Sequence, residues 1–289
     1  MLLSKENRMA PRQIAQIILN NFANIQQYVE KIEIAGPGFI NFYLGTVWLY
    51  EVLPQVIKED ERYGCSDLGQ GKRIQVEFVS ANPTGLLHMG NARGAALGDS
   101  LCNVLTAAGY EVTREFYIND AGNQIENFGK SLEARYLQLL GQEADFPEEG
   151  YHGEDIIETV KNIIAEEGDK YLQVETELRR EFLIQKALEE KINNIKRDLA
   201  RFGVEYDVWF SEQSLHDSGA ITQTIQELQH KGLVYEKEGA LWFRTTELGE
   251  EKDEVIVRSN GLATYFAADI AYHKNKFERG FEKVINIWG

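Results

Sequence analysis

Residues 73–100, RIQVEFVSANPTGLLHMGNARGAALGDS, constrain this chain more than any other stretch. Residues 73–79 alternate in polarity and are rich in β-branched side chains, so they predict a strand, and Asn82-Pro83-Thr84-Gly85 ends it with turn-forming residues. A helix is expected from about His88, because Ala92, Ala95, Ala96, Leu97, Leu101 and Leu105 recur at helical spacing and Gly109 supplies the stop. The unit is strand, glycine-bearing loop, helix. Such a junction suits an anion: the first amides of a helix lack internal partners, and the helix dipole favours negative charge beside them. Gly85 and Gly90 leave the backbone open to a ligand, and His88 has a ring N–H to offer phosphate oxygens. The spacing matches neither the dinucleotide fingerprint GxGxxG nor the phosphate loop GxxxxGK[ST].

A second strand is expected over residues 111–118, which completes a parallel, right-handed strand-helix-strand unit. Carboxyl ends of parallel strands face the ligand crevice, so Asn119, Asp120 and Gln124 are site candidates. The alternative is that Asp120 caps the following helix, which runs through Leu132, Tyr136 and Leu139. Near the far end, Asn260-Gly261 between apolar runs predicts a hairpin, and a helix follows over residues 265–279. Tyr265 and Asp269 then share one helix face, as a presented phenol and carboxylate or as a buried tyrosine beside an exposed aspartate. Residues 283–289 read as a last strand.

Composition and patterning organise the rest. The 289 residues, 43% hydrophobic, suffice for one large or two smaller domains. A net charge of −16 argues against a generally basic nucleic-acid binder, although much of the acid is concentrated in residues 143–181. No apolar run reaches the ~18 residues of a membrane helix, and the opening MLLSKE is too short and polar for a signal peptide, so an intracellular protein is expected. Cys65 and Cys102 form neither a disulfide framework nor a zinc motif and read as free thiols. Residues 11–22 predict a helix, residues 31–34 and 39–43 a hairpin around Gly36-Pro37-Gly38, and residues 47–57 another helix. Residues 142–168 read as acidic and turn-rich. Residues 175–199 then read as one long helix with Leu178, Phe182, Leu188, Ile192, Ile195 and Leu199 inward. Its basic residues Arg179, Arg180, Lys191, Lys196 and Arg197 either belong to a solvated face or meet RNA. A helix at 221–231 and a hairpin turning at Glu238-Gly239 follow, and His152, His216 and His230 read as structural or exposed.

His88-Met89-Gly90-Asn91, preceded by Ser80-Ala81-Asn82-Pro83-Thr84-Gly85, resembles the HIGH signature of class I aminoacyl-tRNA synthetases in the form carried by arginyl-tRNA synthetases. Asn91 stands where the signature has histidine, so a modified ATP contact is expected there. YINDAGNQIENFGKSLEARY at 117–136 is similar to a segment of the same family, as are APRQIA at 10–15 and VEKIEIAGPGFINF at 29–42, which resemble its additional tRNA-contacting N-terminal domain. The resemblance covers nearly all of the chain.

It implies an α/β fold: a Rossmann-like parallel sheet in a catalytic domain over residues 71–289, split by a largely helical connective insertion at about 140–254 and preceded by a partial α/β domain over 1–60. The substrates it implies are L-arginine, ATP with Mg2+, and tRNA(Arg). It further implies no zinc, no membrane attachment, a cytoplasmic location and a monomer. Carried over by motif, Thr84, Gly85, His88, Gly90 and Asn91 would hold ATP, with His88, Gly90 and Asn91 as the catalytic contacts. Glu77, Ser80, Asn82, His88, Tyr265 and Asp269 would hold arginine, with Asn119, Asp120 and Gln124 as a neighbouring loop. Two acidic side chains suit a guanidinium, which is planar and always charged. The chain is expected to be a fragment, trimmed at its front and ending before the second ATP signature and the anticodon-binding domain. Activation in the family generally requires tRNA, so it is expected to be inactive alone. The alternatives are a small-molecule nucleotidyltransferase with the same His-x-Gly loop and a truncated, non-catalytic paralogue that binds arginine.

Overall fold

The computed structural model describes residues 2–22 and 28–288, so Met1 and Gly289, from the opening and closing stretches, lie outside the described residues. It divides into two compact units, Met1–Cys65 and Ser66–Gly289.

The first unit contains α1 (Leu2–Asn7), α2 (Pro11–Asn20), an antiparallel hairpin of β1 (Val29–Ala35) and β2 (Phe39–Leu44), and α3 (Val47–Glu59). Pro11 opens α2, where a missing N–H costs nothing. Gly38 sits at φ +128°, and a Cβ there would strike the Pro11 carbonyl, so the hairpin turn must pass close over the start of α2. The α1 helix is not anticipated from the sequence.

The second unit is built on a four-stranded parallel sheet. Its first strand, β3 (Arg73–Phe78), is followed by α4 (Met89–Ala107) and β4 (Glu111–Ile118). Three helices come next: α5 (Asn123–Leu139), α6 (Glu154–Glu167) and α7 (Thr176–Arg201). The chain then returns to the sheet as β5 (Val208–Ser211) before α8 (Gln213–Asp217) and α9 (Ala220–His230). A three-stranded antiparallel sheet of β6 (Val234–Lys237), β7 (Ala240–Phe243) and β8 (Glu254–Val257) precedes α10 (Tyr265–Glu278) and the last strand, β9 (Lys283–Ile287). The parallel sheet has the order β5-β4-β3-β9.

One apolar core joins the sheet to α4 and the end of α7 through Val76, Phe78, Ala95, Phe116, Ile195 and Leu199. Contact between α4 and β3 depends on Gly98, where a Cβ would overlap the fully buried ring of Phe78. Gly98→Ala is therefore expected to cost about 1–3 kcal/mol through overpacking, read as an earlier midpoint in urea denaturation with an unchanged slope.

Three sequence expectations are corrected. Residues 142–168 are not turn throughout: α6 occupies the second half, with Ile156, Val160 and Ile163 buried on one face and Glu154, Glu158 and Glu166 exposed. The inward stripe of α7 is also different, since Leu178 is exposed and the buried positions are Arg179, Leu183, Ala187, Lys191, Ile195 and Leu199. Acids on the neighbouring helices explain this, because Glu133 takes Arg179 and Arg180, and Asp155 takes Lys191. Those three cations are thus committed inside the fold, while Lys196 lies over the Trp209 ring and Arg197 is exposed. Finally, β5 falls inside the 140–254 stretch yet is an edge strand of the parallel sheet.

Candidate active site

The carboxyl ends of β3, β4 and β5 lie side by side, and the candidate residues collect there. Leaving β3, Val79 and Ser80 take left-handed conformations, at φ 69° and 38°. Such positions cost about 1–3 kcal/mol each in a non-glycine residue, so the surrounding bonds must hold them. Tyr206 Oη donates to the Phe78 carbonyl at 3.0 Å, Ser80 Oγ donates to Glu77 Oε1 at 2.9 Å, and Ser80 Oγ accepts from the Tyr117 amide at 3.1 Å. The kink turns the chain out of the sheet toward Asn82, which is exposed, and then Thr84, Gly85 and the start of α4.

His88 is the N-cap of α4. Its Nδ1 accepts from the Gly90 amide at 3.1 Å, and its own amide donates to Asn91 Oδ1 at 2.9 Å, so the two side chains form a reciprocal cap. With Nδ1 accepting, the neutral ring carries its proton on Nε2, a donor for a ligand. A Cβ at Gly90 would sit 3.0 Å from His88 Cε1, so the ring itself asks for glycine there; a Cβ at Gly85 would meet nothing. Asn91 thus does the work of a capping residue at the position where the signature has histidine.

At the end of β4, Asp120 does not cap α5. Its carboxylate accepts from Ser211 Oγ at 2.6 Å and from the Gln213 amide at 2.8 Å, which ties the ends of β4 and β5 together. Gln124 is exposed on α5. Beside this tie lies a cavity of about 380 Å³ lined by Tyr117, Asn119, Glu212, Tyr265, Phe266 and Asp269. A second, of about 340 Å³, shares Glu212 and Tyr265 and extends toward Arg258 and the Gly261 turn.

Thr264 caps α10 through its hydroxyl, and Tyr265 and Asp269 stand exposed on the first turns. Asp269 Oδ1 lies 3.6 Å from His273 Nε2. Glu212, 3% exposed, receives a hydrogen bond from the Tyr117 phenol. Burial holds its carboxyl above the usual carboxylate range, and Asp120 and Asp269 push the same way against that hydrogen bond. Asn119 Oδ1 is buried with no hydrogen-bond partner among the described residues. Two carboxylates and two phenols therefore line the cavity, and an orphaned carbonyl oxygen is buried in its wall. Such a set of acceptors suits a cation with several N–H donors.

Sequence reasoning brings Tyr265, Asp269 and Asn119 to this cavity and misses Glu212. The available signal is the short apolar run Val208-Trp209-Phe210 ending in Ser211-Glu212, the same strand-then-polar pattern as Ile118-Asn119-Asp120. Glu77 and Ser80 lie one layer behind: Glu77 Oε2 accepts from Lys276 Nζ at 2.5 Å. Among the described residues no cluster of three or more His, Cys, Asp or Glu is placed to hold a metal ion, and no helix is long and apolar enough to cross a membrane.

Comparison with known proteins agrees in family. The family described as "tRNA synthetases class I (R), catalytic domain" matches residues 52–288, and "Arginyl tRNA synthetase N terminal domain" matches residues 1–44. Arginine–tRNA ligases of Heliobacterium modesticaldum and Moorella thermoacetica are 67% and 65% identical over 100% of this chain. The chain spans about half the length of these curated relatives, 51% and 52%. Among solved structures, one from Campylobacter jejuni assigned as an arginyl-tRNA synthetase superposes with a TM-score of 0.76 at 36% identity, covering 85% of this chain and 54% of that one. The Thermus thermophilus arginyl-tRNA synthetase gives 0.54 at 26% identity, covering 94% of this chain and 46% of that one. The parallel sheet, the capped His-x-Gly helix and these matches together make this chain a member of the class I arginyl-tRNA synthetase family.

Proposed function

We propose that this chain carries the amino-acid and ATP sites of an arginine–tRNA ligase. The observation that carries the reading is the acceptor-rich cavity at the strand ends. Glu212 and Asp269 each accept N–H groups of one guanidinium, and Asn119 Oδ1 and the phenols take further ones. ATP, with Mg2+, lies over the start of α4, its phosphates toward the free amides there and toward His88 Nε2, with Thr84, Gly85, Gly90 and Asn91 along the loop. The amino-acid carboxylate then attacks the α-phosphorus, the bond to the pyrophosphate oxygen breaks, and arginyl-adenylate forms. Positioning and charge stabilisation supply the rate. The ribose hydroxyl at the tRNA end attacks the acyl carbon next and releases AMP. In this reading Asn82, Tyr265 and Asp269 meet the amino acid, Glu77 and Ser80 support it from behind, Asp120 braces the pocket floor, and Gln124 lies at its margin. Residues 1–60 contact tRNA, residues 71–289 form the nucleotide-binding domain, and the enzyme works as a monomer in the cytoplasm.

The test is calorimetric titration of the chain with a non-hydrolysable arginyl-adenylate analogue beside its leucyl, glutamyl and lysyl counterparts. The arginyl form is expected to bind at least 100-fold more tightly than the leucyl form, because a site built for charge strands its acceptors against an apolar side chain, a cost on the order of 3 kcal/mol. Equal affinity for all four overturns the arginine assignment and leaves an adenosine-phosphate site, as a small-molecule nucleotidyltransferase would have.

A further inference from the structure

Helix α10 has two unlike sides. Ala267, Ala268 and Ala271 pack with Leu215, Ile221, Phe243 and Ile256 in an apolar cluster. Toward β3, β4 and β9 the contact is polar and ionic. Lys276, with a fully buried side chain, donates to Glu77 Oε2 at 2.5 Å and to Asn286 Oδ1 at 2.9 Å, and its ammonium lies 4.1 Å from the centre of the Tyr272 ring. Arg279 donates to both oxygens of Glu115, and the Tyr272 hydroxyl stands 2.7 Å from Glu115 and 3.1 Å from Glu77. Two carboxylates face two cations, so the cluster is neutral as a whole.

Burial pulls the Lys276 pKa down while Glu77 opposes that shift. On the same elements Gln75 Oε1 and Nε2, Asn275 Oδ1 and Arg279 Nε are buried without hydrogen-bond partners among the described residues. An interface of this kind is kept in register by directional bonds more than by apolar packing.

Contiguous hydrogen bonds run from Lys276 to the cavity. Glu77 Oε1 accepts from Ser80 Oγ, Ser80 Oγ accepts from the Tyr117 amide, and the Tyr117 phenol donates to Glu212. The same chain of bonds holds the left-handed Ser80 in place. In the other direction, Lys276 lies about two helical turns beyond Asp269 on α10.

We propose that Lys276 is a positioning residue for the amino-acid pocket: by clamping Glu77 and Asn286 it fixes the strand-end wall that carries Glu212 against the helix wall that carries Tyr265 and Asp269. The proposal rests on the guanidinium-pocket reading above. A purely structural ion pair would set stability alone, since apolar replacement of such pairs is often tolerated. A positioning role instead separates the two ligands, because the direct partners of Lys276 are Glu77, Asn286 and the Tyr272 ring, and none of them belongs to the loop at 84–91.

The experiment measures affinity for the arginyl-adenylate analogue, the leucyl analogue and ATP on the wild-type chain and on Lys276→Met, Lys276→Arg and Tyr272→Phe, with thermal melts of each. Lys276→Met is expected to lose at least tenfold in arginyl-analogue affinity with ATP affinity within threefold, and Lys276→Arg to recover most of the loss. Tyr272→Phe removes one hydroxyl, keeps the ring and tests the clamp if Lys276→Met does not fold; it is expected to lose about threefold for the arginyl analogue alone. Unchanged arginyl affinity in the folded variants, or equal losses for ATP and the arginyl analogue, overturns the positioning role. A wild-type chain that does not prefer the arginyl over the leucyl analogue overturns the pocket reading, and the positioning role with it.

Discussion

Glu212→Gln is expected to weaken binding of the arginyl-adenylate analogue by about 10- to 100-fold, the worth of one charge-assisted hydrogen bond at ~1.5–3 kcal/mol. The substitution keeps the side-chain volume and one acceptor, so the loss isolates the charge. It also removes a pH dependence whose sign follows from the environment of Glu212. Burial first, and then Asp120 and Asp269, hold its carboxyl above the usual range. The ligand-free fold therefore binds this proton more tightly than the unfolded chain does. Its contribution to stability is fully present below the ordinary carboxylate pKa of ~4.3 and is lost as pH rises through the raised folded value. Guanidinium binding runs the other way, because a cation beside Glu212 expels the proton. Arginyl affinity should rise with pH through the raised value and then level off. Titrations across that range should show this rise in the wild-type chain and a flat profile in Glu212→Gln; a wild-type profile that is flat or falling rules out Glu212 as the charged partner.

Glu133→Ala is expected to lower the stability of the second unit by about 3–5 kcal/mol, the range seen when one member of a buried ion pair is removed. Glu133, with 9% of its side chain exposed, accepts from Arg179 Nε at 2.8 Å and from Arg180 at 2.7 Å. Arg179 keeps its bonds to the carbonyls of Leu172 and Val174 without Glu133 but retains an uncompensated buried charge between α5 and α7. At about 2–4 °C per kcal/mol for a unit of this size, the melting temperature should fall by roughly 6–20 °C. Arg180→Ala should cost about 1 kcal/mol or less, since that side chain is a quarter exposed and Glu133 keeps Arg179. Differential scanning calorimetry of the two variants decides this: similar, small shifts in both would show that Glu133 is not the charge anchor of the helical layer.

Much of the fold is legible in the sequence because its signals are local. The alternation of residues 73–78, the helical spacing after His88, the stop at Gly109 and the turn at Glu238-Gly239 depend on residues near one another in the chain. The same holds for the shared helix face of Tyr265 and Asp269. Other features have no local signature. With only four residues, β5 is too short to show a period, and it is a strand because the exposed edge of β4 offers it hydrogen bonds. The inward face of α7 follows Glu133 and Asp155 on neighbouring helices, so a hydrophobicity pattern places Leu178 inside and Arg179 outside, the reverse of the folded arrangement.

The sequence by itself determined the strand-loop-helix unit, the βαβ order and the start of α4 near His88, because backbone geometry and neighbouring side chains decide these within a few residues. Only the tertiary structure decided which acids line the cavity and which are paired with a buried cation. The family resemblance places Glu77 among the arginine-binding residues; the fold pairs it with Lys276, draws Glu212 out of water and sets Glu212 and Asp269 in one cavity lining. The reason is physical: a carboxylate's role depends on whether a cation reaches it and how much water it loses, and both are fixed by residues distant in the chain.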